Sequence, residues 1–451
     1  MSDTDGPAFA HIPAGVKKRL RPHATRIIRD VHAWVEDECI GREKVMEAQV
    51  ERDRWSTPPL MRELRRRARA RGLWNLFLPE TFEGSPGLSN LEYGCVAELL
   101  GRCYWAQQTV NCHAPETGNI ELMAKFCTPE QKEKWLRPVM EGTASSAYSM
   151  TEPDAATSDP VQVGLEMRRE GDEYVLNGRK LFANCLWNRD LAFYIVMGRT
   201  DAANPDPWRR HSMVIVPCGT PGIEQVRNLN VLGYHWAPEG HGEYTYTDVR
   251  VPASNLILGP GRAFEIAQGR LGGGRVHHCM RLLGQCERAV ELAVARASDG
   301  RFRPRGKLVG AFDSNVERLG RMRMELDAMR LVVLNAAEEV DLRGAKAAQG
   351  AIAQCKVLVP QRVEGIVNEC MQFFGGQGVT NEHTPLPRIW AYARWSRLAD
   401  GPDAAHRHQV GRNELKKGEA ITRRHRAYND KARKFAELHG EKFTMQPEDT
   451  L

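Results

Sequence analysis

The hydrophobic pattern of this chain changes period twice, and few folds accommodate that. From residue 8 to about 147, apolar residues recur at helical spacing. Between Ala147 and Val251 they come in short runs rich in Val, Tyr and Thr, separated by turn residues, with no helix-length segment between them. From Gly261 onward helical spacing returns in long, nearly proline-free segments. Periods of 3.6 and 2.0 mark helix and half-buried strand, so the order is α, then β, then α. The fold class is α+β: an N-terminal helical domain, a middle antiparallel β barrel or sandwich, and a C-terminal four-helix bundle.

Local signals set the expected elements. His11 to Trp34 reads as one amphipathic helix, and Met61–Gly72 as another. Asn90 is expected to cap a helix carrying Tyr93, Val96, Leu99 and Leu100 on one face. Thr128-Pro129-Glu130-Gln131 opens a helix through Trp135. In the middle block, Asn177-Gly178 suggests a hairpin turn after Tyr174-Val-Leu. Leu191–Met197, Met213–Pro217 and Glu243–Val249 read as strands. Residues 262–298, 306–344 and 345–374 are the long helices, with a fourth after Pro402. The implied domains are 1–147, 148–258 and 259–430, followed by a charged tail at 431–451 that frays beyond Ala427.

With 451 residues, 42% hydrophobic and 27% charged, the composition is that of a soluble globular chain. No run reaches the roughly 18–20 apolar residues of a membrane span, and no signal peptide is visible. The expected compartment is the cytoplasm or an organellar matrix; Asp449-Thr450-Leu451 does not match the peroxisomal ending. Eleven scattered cysteines without Cys-x-x-Cys argue for reduced thiols and against structural zinc. Net charge is only +6. The basic run Arg62–Arg71 reads as a solvated helix face in preference to nucleic-acid contact.

One C-terminal stretch carries candidate chemistry. Gln372-Phe-Phe-Gly-Gly-Gln-Gly378 ends an apolar helix in three glycines, and Asp400 follows where a helical pattern breaks at Gly401-Pro402. A helix C-cap and a turn is the plainer reading of these residues alone. A large flat ligand beside a positioned carboxylate is the sharper one.

Taken together with Tyr148-Ser-Met-Thr-Glu-Pro-Asp154 through Ser158-Asp159, and with Asp172-Glu-Tyr-Val-Leu-Asn-Gly-Arg-Lys180, the chain resembles the acyl-CoA dehydrogenases over nearly its whole length. Trp74-Asn-Leu-Phe-Leu-Pro79, Asn111–Asn119 and Gly269–Arg281 look like one branch, found also fused to kinase-like domains. The resemblance implies FAD as cofactor and α,β-dehydrogenation of an acyl-CoA in fatty-acid metabolism. An electron-transfer flavoprotein would be the acceptor, and the assembly a homodimer or homotetramer. It places the catalytic carboxylate at Asp400, with Arg275 near it favouring the ionised form. Burial of Asp400 is expected to raise its pKa. Met150, Thr151, Ser158, Phe182 and Asn184 would contact the flavin, and Gln372, Gly375 and Gly376 would reach it from a neighbouring subunit. His277 and His278 read as packed or hydrogen-bonded side chains, and no metal is expected.

Three places depart from the family pattern. Phe182 and Asn184 stand where Trp and Thr or Ser are usual, Arg301–Lys307 replaces an Arg-x-x-Phe-Gly, and Ala391-Tyr392 replaces an Arg-Asp pair. They keep two alternatives open: a flavin oxidase of the same fold acting on a substrate such as a nitroalkane, and a non-catalytic binding or assembly protein.

Overall fold

The computed structural model describes residues 4–442 apart from Glu83 and Leu186, without the side chains of Thr157 and residues 271–274. Residues 443–451, the end of the expected tail, lie outside the described residues. Residues 431–439 do not fray; they continue the last helix.

The N-terminal region holds α1 (Pro22–Ala33), α2 (Pro59–Ala70), α3 (Asn90–Gly101) and α4 (Glu116–Phe126), with shorter turns between. The helix expected over His11–Trp34 is broken: a short turn at Ala14–Lys17 precedes Pro22, which starts α1. Proline has no N–H and disfavours helix in the residue before it. Arg21, at the break, donates from Nε to the Glu92 carboxylate at 3.0 Å. Ser89, not Asn90, caps α3: its hydroxyl accepts from Glu92 N–H, and Glu92 completes a capping box. Asn90 is the first helical residue and donates to Asp341 Oδ1. The cap at Thr128 forms as expected, with Gln131. In α2 the buried face is Met61, Leu64 and Ala68. Its arginines are partly docked: Arg65 bonds the Gln108 carbonyl at 3.1 Å and Arg62 bonds Asp190.

Seven strands follow: β1 (Ser145–Ser149), β2 (Glu166–Glu170), β3 (Glu173–Asn184), β4 (Leu191–Arg199), β5 (His211–Pro217), β6 (Ile223–Asn228) and β7 (His241–Pro252). They form one sheet in the order β1-β4-β2-β3-β7-β6, with β5 also on β4. Most pairs are antiparallel, but β1 and β2 run parallel to β4. The alternation along β4 separates two cores. Phe193, Ile195 and Met197 face the helices, while Tyr194 and Val196 join an internal cluster with Leu176, Val214, Val216, Tyr244 and Val251. That inner cluster draws on every strand, β6 through the half-buried Ile223, so the sheet encloses its own core as a barrel does.

The hairpin turn expected at Asn177-Gly178 does not exist. β3 runs straight through it with a bulge between Leu176 and Gly178, and the turn lies earlier, at Gly171 (φ 59°). Gly178 is there for space: a Cβ would sit 2.8 Å from the Leu165 Cα.

The C-terminal region contains α5 (Ala263–Ser298), α6 (Asp313–Ala347), α7 (Gln349–Phe374), α8 (Leu386–Ser396), α9 (Asp403–Leu415) and α10 (Gly418–His439). α5 is the spine, packed against α3, α4, α6, α7 and α8. Among the described residues no helix is long and apolar enough to cross a membrane.

Candidate active site

Asp400 occupies the link between α8 and α9, and its backbone is in the left-handed region (φ 56°). A non-glycine residue there costs roughly 1 kcal/mol or more and persists when its surroundings hold it. They do. Arg397 bridges Glu364 of α7 and Asp403 of α9, at 3.0 and 2.8 Å. Arg275 Nε donates to the Asp400 carbonyl at 3.0 Å, and His406 Nε2 lies 3.3 Å from the same oxygen. Gly401 (φ 105°) follows, and a Cβ on it would stand 2.9 Å from His406 Nε2.

With its main chain fixed, Asp400 directs its carboxylate to His278 Nε2, 3.2 Å away on α5. The carboxylate side chain remains 21% exposed, so a ligand can reach it. Burial pushes the Asp400 pKa up, but the His278 hydrogen bond and the charges of His278, Arg270 and Lys356 outweigh it and hold it well below the usual carboxylate range. Burial lowers the His278 pKa, against the hydrogen bond and charge of Asp400, and at Asp400 the pairing outweighs burial. This corrects the expectation that desolvation would raise Asp400. Arg275, expected near the base, bonds the Asp400 carbonyl and not its carboxylate.

Lys356 lies beneath this turn. Only 1% exposed in α7, it donates to the Ser396 carbonyl at the C-terminal end of α8, where the helix leaves acceptors free and favours a cation. Arg270 stacks on Tyr148 at 4.0 Å and donates to Asn119 Oδ1 at 3.0 Å. Asn119 in turn donates to Ser146 at the start of β1. A polar chain thus ties α5 and α4 to the sheet.

A line of rings joins the base to the flavin residues expected on β3. Phe182 and His241 have centroids 6.1 Å apart, His241 and Trp395 5.5 Å, and Trp395 and His278 6.4 Å. Phe182 is at positive φ and 51% exposed, presenting an open ring face. The Asn184 amide lies 3.3 Å from His241 Nδ1. Thr151 Oγ1 donates to Ser158 Oγ at 3.4 Å. The Met150 carbonyl accepts from Lys180 Nζ at 2.8 Å, so it is already engaged. Lys180 is buried against Glu152, and burial lowers its pKa to about 8.

Gln372, Gly375 and Gly376 are exposed and elsewhere. Neighbouring Phe374 and Phe302 both lie against the Arg296 guanidinium. Arg296 is 21 residues beyond Arg275 on α5, or roughly 30 Å along the axis. The altered stretch Arg301–Lys307, with Arg305 at φ 52°, is at that same end.

His278, Lys356, Arg270, His241 and Trp395 are the neighbours that sequence reading missed as site residues. Two left a trace. His278 falls three residues after Arg275, and Lys356 is a lone charge on an apolar face.

A helical domain, a β domain and a second helical domain, in that order, match one family along the chain. "Acyl-CoA dehydrogenase, N-terminal domain" matches residues 22–143, the middle domain 147–249 and the C-terminal domain 261–415. The chain is 40% identical over 367 residues to "Probable acyl-CoA dehydrogenase FadE2" of Mycobacterium tuberculosis, covering 80% of this chain and 86% of that one. It is 41% identical over 364 residues to "Acyl-CoA dehydrogenase family member 11" of Gallus gallus, covering 80% of this chain but 46% of the other, so it spans about half of that relative's length. A solved Mycobacterium abscessus structure superposes with a TM-score of 0.84 at 41% identity, over 88% of this chain and 99% of the other. Butyryl-CoA dehydrogenase from Megasphaera elsdenii does so at 0.73 and 26%, over 88% and 99%. The chain belongs to the acyl-CoA dehydrogenase family.

Proposed function

We propose that this protein carries out α,β-dehydrogenation of an acyl-CoA thioester, with Asp400 as the base. The observation that carries this is the reachable Asp400 carboxylate, 3.2 Å from His278 Nε2 on a left-handed turn, one line of rings away from the exposed Phe182.

The residues present fit FAD. Phe182 offers a ring face, and Thr151 and Ser158 offer hydroxyls at the end of β1. Asn184 would sit at the flavin edge, held by its contact with His241. Met150 would approach through its own backbone, with its carbonyl fixed by Lys180. Gln372, Gly375 and Gly376, exposed at the other end of the bundle, would serve the cofactor of a neighbouring subunit; a dimer at least is the expected assembly. Bound FAD supplies the hydride acceptor, and an electron-transfer flavoprotein is a suitable acceptor beyond it.

The substrate's α-proton passes to the Asp400 carboxylate. Thioester α-protons are weakly acidic, so polarising the carbonyl is the larger share of the work. The backbone N–H of Asp400 is the donor this chain offers for it. Substrate entry displaces water from the exposed part of the carboxylate, which raises its basicity from the low resting value. Arg275 and His406, by fixing the Asp400 carbonyl, keep that N–H and the carboxylate in one orientation.

A visible spectrum of the purified protein, followed by anaerobic titration with acyl-CoAs, tests this reading. A yellow protein bleached by one chain class supports it. Peroxide formation with a nitroalkane and no response to any acyl-CoA would replace it with an oxidase, and a colourless protein that cannot take up FAD would leave a binding protein.

A further inference from the structure

The last helix carries a patterned face that the fold leaves uncovered. α10 (Gly418–His439) begins beyond residue 415, where the match to the family's C-terminal domain ends. None of its 22 residues is buried. Ile421, Tyr428 and Phe435 recur every seven residues, close to two helical turns, so they form one stripe. All three are exposed, and so is Leu438 at the end of the stripe. Single exposed apolar side chains are ordinary on a protein surface, but a contiguous line of them marks a contact. The basic helix α2 shows the usual outcome: its apolar residues Met61, Leu64 and Ala68 are buried. α10 has the same kind of pattern and buries none of it.

The charges of α10 are sorted about that stripe. The helix has six arginines and lysines against three acids. Glu419 and Glu437 each stand nine residues from Tyr428, about two and a half turns, and Asp430 two residues from it, so all three acids lie on the face opposite the stripe. Arg424 and Lys431, four and three residues from Tyr428, lie beside it, within about 60°. This arrangement decides among occupants. A second copy packed helix on helix along the stripe would set Arg424 and Lys431 in seam positions that call for apolar side chains. A partner that wrapped the helix would cover the three acids as well. A flat anionic surface touches one side only: the apolar side chains enter it, the Arg and Lys stems lie along it with their charged heads at the boundary, and the acids stay in water. α10 is not long and apolar enough to cross a bilayer, so it would lie in the plane of one.

We propose that α10 docks along a membrane surface carrying anionic lipid headgroups, with Ile421, Tyr428 and Phe435 entering the apolar boundary and Arg424 and Lys431 meeting the headgroup phosphates. No residue of the Asp400 site belongs to α10, so this inference stands or falls apart from the dehydrogenase reading.

The test is co-sedimentation of the full chain with vesicles of phosphatidylcholine alone and of phosphatidylcholine with roughly one-third phosphatidylserine. The partition coefficient is expected to be at least about tenfold higher on the anionic vesicles and to fall as salt is raised. Tyr428→Glu combined with Phe435→Glu should lower it by at least about 100-fold. Arg424→Gln combined with Lys431→Gln should lower it by about tenfold, on the anionic vesicles only. Without vesicles, both variants should keep the wild-type sedimentation coefficient. Equal partitioning onto the two kinds of vesicle, partitioning that survives both pairs of substitutions, or no partitioning at all overturns the proposal. A sedimentation coefficient that falls in the Tyr428 and Phe435 variant without vesicles also overturns it, and assigns the stripe to a contact between copies of this chain.

Discussion

The two ends of α5 are built on different physics. At the Asp400 end, Arg275, His278 and Arg281 project into packed protein, and each charged or polar group there has a fixed direction. At the Arg296 end, a guanidinium lies against Phe302 and Phe374, Arg301 is 81% exposed, and Gln372, Gly375 and Gly376 face outward. The first end is organised by one chain alone. The second turns Gln372, Gly375 and Gly376 outward, which suits a contribution to a neighbouring subunit. The difference teaches where each substitution should act: on the reaction at one end, on cofactor retention and assembly at the other.

The sharpest way to break this contrast is Asp400→Ala. Flavin reduction should fall by at least about 10³-fold with FAD retained, as expected for loss of a positioned base, measured by anaerobic stopped-flow spectroscopy. Loss of FAD with the activity would show that the two ends are not separable.

Lys356→Ala comes next. It removes a buried cation from the end of α8 and leaves the Ser396 carbonyl unmatched, so stability should drop by about 3 kcal/mol. A denaturant titration reads this, and an unchanged midpoint would show that water replaces the ammonium group.

Gly401→Ala should cost about 1–2 kcal/mol, because a side chain at positive φ is strained and meets His406. Its rate should fall more than its KM rises, since the Asp400 turn moves while the binding face stays. Calorimetry together with steady-state kinetics separates the two effects.

The pH dependence sharpens the comparison further. The folded-state pKa of Asp400 is depressed, so its contribution to stability is present above the unfolded carboxylate value of about 3.9 and is lost as pH falls through the lower folded value. His278→Phe removes the donor, so the acid limb of kcat/KM should move to higher pH. An unmoved limb would mean that Arg270 and Lys356 alone hold Asp400 ionised.

The smallest expected effect at the reaction end belongs to the other end of α5. Gln372→Ala should weaken FAD retention by about tenfold, one lost hydrogen bond, with no change in the rate of flavin reduction once FAD is restored. Equilibrium dialysis reads the first and stopped-flow the second.

Much of the fold was legible in the chain because hydrophobic period is a local property. The α-β-α order, the long helices and the cap at Thr128 needed no tertiary information. Local signals misled where a neighbour overrode them. Asn177-Gly178 has hairpin chemistry, but the approach of Leu165 uses Gly178 for space instead. His11–Trp34 is amphipathic throughout, yet Pro22 and the Arg21–Glu92 pair divide it.

The site divides in the same way. The sequence determined that a carboxylate stands at a helix break before Gly401-Pro402, that Arg275 lies on a long helix, and that glycines close α7. Residue order and local conformational preference are enough for that. Only the tertiary structure decided that His278 holds the Asp400 carboxylate, that Arg275 holds its carbonyl, and that Arg281 is buried. Those facts depend on which helices meet, and direction and burial between helices distant in sequence are set by packing, which no local pattern encodes.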